Sequence, residues 1–293
     1  MRDFEVIVVD NSGSGRARRL LPPATRARVI ENRVNVGFGT AVNQAAAASS
    51  SPFLAVINDD AIAHPTWLEA LLNKIGDAGM CASQVRLHGT DQLDSAGMLI
   101  SADGSSVQRN GGPPDALFPS GSAALYRREL FDQLGGFDDQ FFLYCEDTDL
   151  GLRAQWAGWK CRYVADAIVD HRYSHSAGRA SALKAFYVER NRLFVAIKNF
   201  PLSMLLMSPF ASISRYFWHV MFLLHGRGKA AEFSRGGSGL MLAWFVLKAH
   251  WAAMIALPRL LSQRRQIRRK ISSTEFKRIL KQHWITPKQV ASH

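Results

Sequence analysis

Acidic residues crowd this sequence at two places where a carboxylate could do chemistry. Glu146, Asp147 and Asp149 fall within one turn, directly behind the aromatic run Phe141-Phe142-Leu143-Tyr144. Leu150, Arg153 and Ala154 then begin a helical pattern, so the acids stand at a helix N-terminus, where the dipole favours negative charge. Capping needs one acid in that turn, and three exceed it. A carboxylate held in a partly apolar pocket can act as general base toward a hydroxyl group. The second place is Asn58-Asp59-Asp60, straight after the apolar run Phe53 to Ile57. Adjacent carboxylates repel, and a hard divalent cation such as Mg²⁺ or Mn²⁺, completing its shell with phosphate oxygens, relieves that repulsion. Asp59 and Asp60 could equally turn the chain and cap the helix that Pro65 opens.

The elements around these acids read as an α/β domain. Phe4 to Val9 is an apolar, β-branched run ending in Asp10-Asn11-Ser12-Gly13-Ser14-Gly15, a buried strand and a turn. Val29-Ile30 is a second short strand. Gly37 to Ala48 predicts a helix stopped by Ser49-Ser50-Ser51-Pro52. Phe53 to Ile57 is a third strand, and a further helix runs from Pro65 to about Ile75. Strand, loop and helix repeated in this way imply a mostly parallel sheet, with ligands gathered at strand C-terminal ends. Asp10 and Asn58-Asp59-Asp60 both sit at such ends.

The 293 residues are 47% hydrophobic and 20% charged, enough to bury a core and unlike a disordered polyelectrolyte. No Gly-X-Y period or internal repeat is visible. Three cysteines, Cys81, Cys145 and Cys161, suit a reducing compartment better than a disulfide framework. The opening MRDFEVIVVD holds acids and no long apolar run, so no signal peptide is expected there. The net charge of +12 is uneven: residues 183–293 hold 19 of the 36 Lys+Arg but 3 of the 24 acids, leaving +16 there and −4 before it. We therefore expect two segments, 1–182 and 183–293, joined near residue 182.

The ordered set VVDNSGSG, NVGFG…N, INDDAIAHPTWLEALL, SGSAALYRRELFDQLGGFDDQFFLYCEDTDLGLRAQWAGW and DHRYSHSAGR resembles family-2 glycosyltransferases of the A-type nucleotide-sugar fold. It is most similar to their bacterial rhamnosyltransferase-like branch, over roughly residues 4 to 200. The resemblance implies a Rossmann-like mixed sheet flanked by helices and an inverting transfer from a nucleotide-sugar donor to a lipid-linked or cell-envelope glycan acceptor. It puts Asp10 at the nucleotide base and ribose, with Asn35, Gly37 and Asn43 lining the same pocket. Asn58-Asp59-Asp60 takes the place of the family's Asp-X-Asp motif, with Asp60 as metal ligand for Mg²⁺ or Mn²⁺ and Asp59 near ribose or sugar. The motif's first acid is Asn58 here. Gly121 and Ser122 would border the donor sugar, Asp147 matches the general base with Glu146 its neighbour, and His171 stands where some relatives place a late metal or diphosphate ligand.

Relatives usually begin with one more strand, loop and helix, whose strand lies centrally in the sheet. Its absence before Phe4 leads us to expect unpaired ladder groups beside the first strand, from a misassigned or shortened start. That absence, with Asn58, also motivates an alternative: a catalytically inactive module that binds nucleotide sugar or partners.

The second segment reads as membrane-directed. Leu183, Phe186, Tyr187, Leu193, Phe194 and Ile197 follow helical spacing. Leu202 to Leu224 is strongly apolar but carries Pro209, Arg215 and His219. After Gly236-Gly237-Ser238-Gly239 comes Leu240 to Leu257, with Trp244, Trp251 and a central Lys248. Both are near the ~20 residues of a span, yet a mid-span Lys or Arg costs about 2.5–3.5 kcal/mol. Trp and Lys on an apolar helix suit one lying in the interface. The tail from Arg259 to Lys281 adds bases, each contributing about 1 kcal/mol near an anionic surface. The expectation is therefore a peripheral or monotopic protein on the cytoplasmic face of the inner membrane, with an anionic membrane surface and no nucleic acid as partner.

Overall fold

The structure, a computed structural model, describes residues 4–113, 115–172, 182–226 and 239–292. Residues 173–179, which end the fifth motif, and the glycine-rich break at 236–238 lie outside the described residues.

The chain opens with β1 (Val6–Asp10), α1 (Arg16–Leu20), β2 (Ala27–Glu31) and α2 (Phe38–Ala47), followed by β3 (Phe53–Ile57), β4 (Ala61–Ala63) and α3 (Trp67–Lys74). These fall within a few residues of the expected bounds, because apolar β-branched runs and an Ala-rich segment leave little choice of element. β5 (Met80–Leu87) and four short strands, β6 (Leu93–Ser95), β7 (Met98–Ile100), β8 (Ser106–Gln108) and β9 (Asp115–Ala116), lead to β10 (Ala123–Arg127). α4 (Arg128–Leu134), α5 (Glu146–Trp156) and β11 (Cys161–His171) complete the α/β part.

The main sheet has seven strands in the order β3-β10-β5-β11-β4, with β6 on β5 and β9 on β11. It is mixed rather than mostly parallel. β5 and β11 run parallel, while β10 runs against both β3 and β5. β10 is reached through the excursion of short strands and not through a helical crossover, so the parallel rule that strand–helix repetition suggests does not bind it. β1 and β2 form a separate parallel pair. Among the described residues β1 pairs only with β2 and β3 only with β10.

Two cores flank the main sheet. One packs α3 through Trp67 and Leu71 against Val85, Leu125 and Val169. The larger one gathers Phe118, Tyr126, Phe131, Leu150 and Trp156 and continues past residue 182 into Phe194, Phe200 and Phe276. Cys81, Cys145 and Cys161 are buried and free.

The second segment consists of α6 (Ala182–Asn199), α7 (Leu202–Leu224), α8 (Gly239–Gln266), α9 (Ser273–Gln282) and α10 (Pro287–Ser292). Arg215, a misfit in an apolar helix by sequence, turns inward: it donates to Asp103 at 2.5 Å and to Glu189 at 2.7 Å. Arg192 bonds Glu189 as well, and reaches the Asp103 carbonyl at 3.0 Å. α7 thus seats a polar face on the domain and leaves Leu206, Phe210, Ile213, Phe217, Val220 and Leu224 exposed in a single stripe. α8 exposes a second stripe, with Trp244, Leu247, Trp251 and Met254. Over Met241–Gln266 it is the one helix among the described residues that is long and apolar enough to cross a membrane, with a mean hydropathy of 1.4. The tail returns to the domain, where Trp156 stacks on Phe276 with ring centroids 3.9 Å apart and Arg269 covers the indole.

Candidate active site

Hydrogen bonds tie the strand-end loops into one rim. Asp10 is buried at the end of β1, where its carboxylate accepts the backbone N–H groups of Ser12 at 2.8 Å and Ala17 at 2.7 Å. Hydrogen bonds from Ser12 and from the Ala17 N–H hold it below the usual carboxylate range. Its neighbour Asn11 donates to the Gly37 carbonyl at 3.3 Å. Asn35 accepts the Gly37 N–H at 2.9 Å, forming the turn that starts α2. Gly37 has φ 88°, and a Cβ there would stand 2.4 Å from the Phe142 carbonyl oxygen, so only glycine fits. The next N–H, of Phe38, donates to that same carbonyl at 2.9 Å. The turn at Asn35 and Gly37 is thereby bonded to the loop that carries Glu146 and Asp147.

That loop is strained. Phe142, Tyr144 and Cys145 all have positive φ, at 63°, 68° and 64°. Phe142, with ψ −66°, is the centre of a γ-turn closed by the Leu143 N–H on the Phe141 carbonyl at 2.8 Å. Each such residue costs on the order of 1–3 kcal/mol, and strain of this kind persists only where surroundings over-determine it. The loop delivers Asp147 to the first turn of α5, half-buried. One carboxylate oxygen accepts the Gly121 N–H at 2.9 Å, and the other the Thr148 N–H at 2.7 Å. Burial nevertheless outweighs these bonds and raises Asp147 above the usual range. Glu146 is buried with Oε2 unpartnered, and burial together with the Asp147 charge raises it as well. No ion pair to either acid exists among the described residues.

The rim continues from Gly121 to Ser122, whose carbonyl accepts the Asn58 N–H at 3.0 Å. Asp59 is exposed. Asp60 faces His171, its Oδ1 3.1 Å from Nε2, and Asp94 meets the other ring nitrogen at 3.3 Å. Burial disfavours the imidazolium, but the Asp94 and Asp60 contacts outweigh it and push His171 up. With the proton on Nδ1, Asp94 orients the ring and Nε2 shares a point with Asp60. A carboxylate and an imidazole nitrogen so placed suit a divalent cation that takes its remaining ligands from phosphate and water, so these residues fit Mg²⁺ or Mn²⁺. No group of three or more His, Cys, Asp or Glu forms a closed metal cage among the described residues.

Asn43 stands apart. Its amide clamps the Phe137 backbone, donating to the carbonyl at 2.8 Å and accepting the N–H at 3.0 Å. It lines a cleft of about 520 Å³ with Asp138, Arg153 and Lys198 rather than bonding to the rim. Asp94 and the strained loop carried no signal in the sequence: an isolated Asp, and aromatics in a conformation their types disfavour.

Family models for glycosyl transferase family 2 and glycosyl transferase family group 2 match residues 1–135 and 100–262. The chain belongs to the family-2 glycosyltransferases. It lies in the rhamnosyltransferase-like branch that its motifs suggested. This glycosyltransferase is 31% identical over 216 residues, 62% of its own length and 70% of the relative's, to the N-acetylglucosaminyl-diphospho-decaprenol L-rhamnosyltransferase of Mycobacterium tuberculosis. It is 27% identical over 182 residues to the O-antigen chain rhamnosyltransferase WbaN of Salmonella anatum, covering 59% and 58% of the two chains. Its fold is similar to that of GalNAc-T7 with UDP, GalNAc and Mn²⁺ (TM-score 0.57, 14% identity, 72% of this chain and 44% of that one). The mannosyltransferase PcManGT of Pyrobaculum calidifontis, with GDP-Man and Mn²⁺, gives a TM-score of 0.50 at 15% identity over 85% and 77%. The mixed sheet with flanking helices is the A-type fold. None of these similarities supports an inactive module.

Proposed function

We propose that this glycosyltransferase moves a sugar, rhamnose by the chemistry its relatives' names describe, from a nucleoside diphosphate donor to a lipid-linked or cell-envelope glycan acceptor with inversion. The observation that carries the reading is Asp147: a carboxylate with no ion pair among the described residues, raised by burial and bonded to Gly121 on the rim that links the Asp10 turn to Asp60 and His171. Asp147 takes the proton of the acceptor hydroxyl. The oxygen attacks the anomeric carbon on the face opposite the nucleoside diphosphate, which departs with the bonding pair. Asp10, Asn35 and Gly37 shape the nucleotide side, and Gly121, Ser122 and Asp59 the sugar side. Asp60 and His171 would hold Mg²⁺ or Mn²⁺, which supplies charge neutralisation at the diphosphate. Glu146, the buried neighbour of Asp147, favours its neutral acid form and so adds no second charge beside the base. The experiment is a nucleotide-sugar panel, headed by deoxythymidine-diphosphate rhamnose, against a polyprenyl diphosphate-linked N-acetylglucosamine acceptor, with product stereochemistry read by NMR. Retention of configuration, or no transfer with any donor, would sink the reading.

Residues 1–182 form the catalytic part in this reading and 183–293 the membrane-associating part. The exposed stripes of α7 and α8 support a protein lying on the cytoplasmic leaflet, because α7 spends its polar face on the domain and has only its outer face for lipid. Exposed Arg265, Arg268, Lys270, Arg278 and Lys281 supply attraction to anionic headgroups. Vesicles containing phosphatidylglycerol should pellet the protein, and the double substitution Phe210→Glu, Trp251→Glu should release most of it. Equal pelleting by the variant would remove the stripes from the account.

A further inference from the structure

One helix face grips the strained catalytic loop. Tyr187, Arg190, Asn191, Phe194 and Lys198 recur at helical spacing on α6 and all meet residues 138–144. At the centre, the fully buried Asn191 amide donates to three carbonyls of the loop: Phe141 at 2.9 Å, Leu143 at 2.8 Å and Tyr144 at 2.7 Å. Its own oxygen accepts Arg190 Nε at 2.8 Å. Arg190 in turn donates to the carbonyls of Gln140 at 2.8 Å and Phe141 at 2.9 Å, and lies over the Tyr187 and Phe194 rings. The Phe142 and Tyr187 rings pack 5.2 Å apart. The captured carbonyls of Phe141, Leu143 and Tyr144 belong to peptide units that adjoin the three positive-φ residues, units that would rotate if the loop relaxed.

We infer that Asn191 is a positioning residue for the transfer, with Arg190 as its support. The pair pins the peptide units of 140–144 in their strained arrangement and so fixes where Asp147 presents its carboxylate. Neither residue touches the rim; each acts through the loop backbone. The inference rests on Asp147 as the base. It adds that catalytic geometry is set from the second segment of the chain, by the helix against which α7 and α8 pack.

The test compares Asn191→Ala with the wild-type full chain. kcat should fall by on the order of 100-fold, since a displacement of about 1 Å at a reacting group has that effect. The donor KM should stay within about two-fold, because Asp10, Asn35 and Gly37 remain in place. Asn191→Ser, which keeps one donor, should fall between the two. Hydrogen exchange adds a readout free of activity: in Asn191→Ala the amides of 142–148 should exchange about ten-fold faster while those of 150–156 keep their protection. A kcat within two-fold of wild type, or a rise in KM that accounts for the whole loss, overturns the inference. So does exchange that accelerates evenly across α5, the mark of a merely structural residue. Should Asn191→Ala not fold, Asn191→Ser and Arg190→Lys are held to the same criteria. If the wild type transfers nothing, the base assignment fails by itself, and the exchange pattern still decides whether α6 pins the loop.

Discussion

Two groups of carboxylates in this glycosyltransferase are taken out of water, and they behave oppositely. At the head of α5, Glu146 and Asp147 form no ion pair among the described residues, and burial raises both. Along the seam between α6 and the domain, Asp103, Asp149 and Glu189 are as deeply buried, yet all are lowered. Burial pushes each up there as well. Arg215 and Arg192 outweigh it at Asp103 and Glu189, and Lys198 and Arg153 do so at Asp149. The distance from Asp147 to Asp149 is two residues, one side of a helix turn to the other. Burial alone therefore says nothing of role. A cationic partner accompanies each acid that is lowered, and under the proposed function the two raised acids are those left to exchange a proton.

The sharpest way to break this division is Asp147→Asn. The amide keeps shape and can still accept the Gly121 N–H, but it cannot take a proton, so the rate should drop about 10²–10⁴-fold with a thermal transition no lower than that of the wild type. A variant that still transfers at the wild-type rate would dissolve the distinction. The seam predicts the reverse. Arg215→Met leaves Asp103 and Glu189 sharing Arg192 alone, and breaking a buried pair costs about 3–5 kcal/mol. For a chain of this size that lowers Tm by roughly 10 °C, read by calorimetry. Transfer below the transition should persist, since Arg215 touches nothing on the rim. Loss of rate without loss of Tm would place the seam in the chemistry.

The sequence made part of this legible. Three acids in one turn behind an aromatic run marked the α5 head, and Asn58-Asp59-Asp60 marked a strand end that the fold brings to His171. Arg215 in an apolar helix was readable only as a misfit, because its partners Asp103 and Glu189 lie 112 and 26 residues away. Asn43 shows the converse: its position among the nucleotide-side motifs is local, while the Phe137 backbone it clamps is 94 residues distant. The sheet turned out mixed for a similar reason, since the path into β10 is a chain of short strands with weak patterning. Phe142, Tyr144 and Cys145 have residue types that argue against positive φ. The carbonyls of Phe142 and Tyr144 are held by the Phe38 N–H and by Asn191 on α6, both far away in sequence, and no local pattern encodes such contacts.

The smallest effect concerns Glu146. Its raised value means that the folded state favours the neutral acid, whereas in the unfolded chain it ionises in the ordinary carboxylate range. Below that range the carboxyl is protonated in both states and burial brings no ionisation penalty. As pH rises toward the raised value, the unfolded state loses its proton first, so folding stability falls across that window. Glu146→Gln removes the titration. Its Tm should match the wild type at acid pH and exceed it increasingly as pH climbs, by a few degrees, in a pH series of thermal melts. The kinetics supply the complementary half. The two acids titrate as a pair, and under the proposed function Asp147, as the base, loses its proton first. The acid limb of kcat/KM, which reports the base, should then stay in place in Glu146→Gln. A limb moved to lower pH would show the proton to be shared in the opposite order, with Glu146 ionising ahead of Asp147.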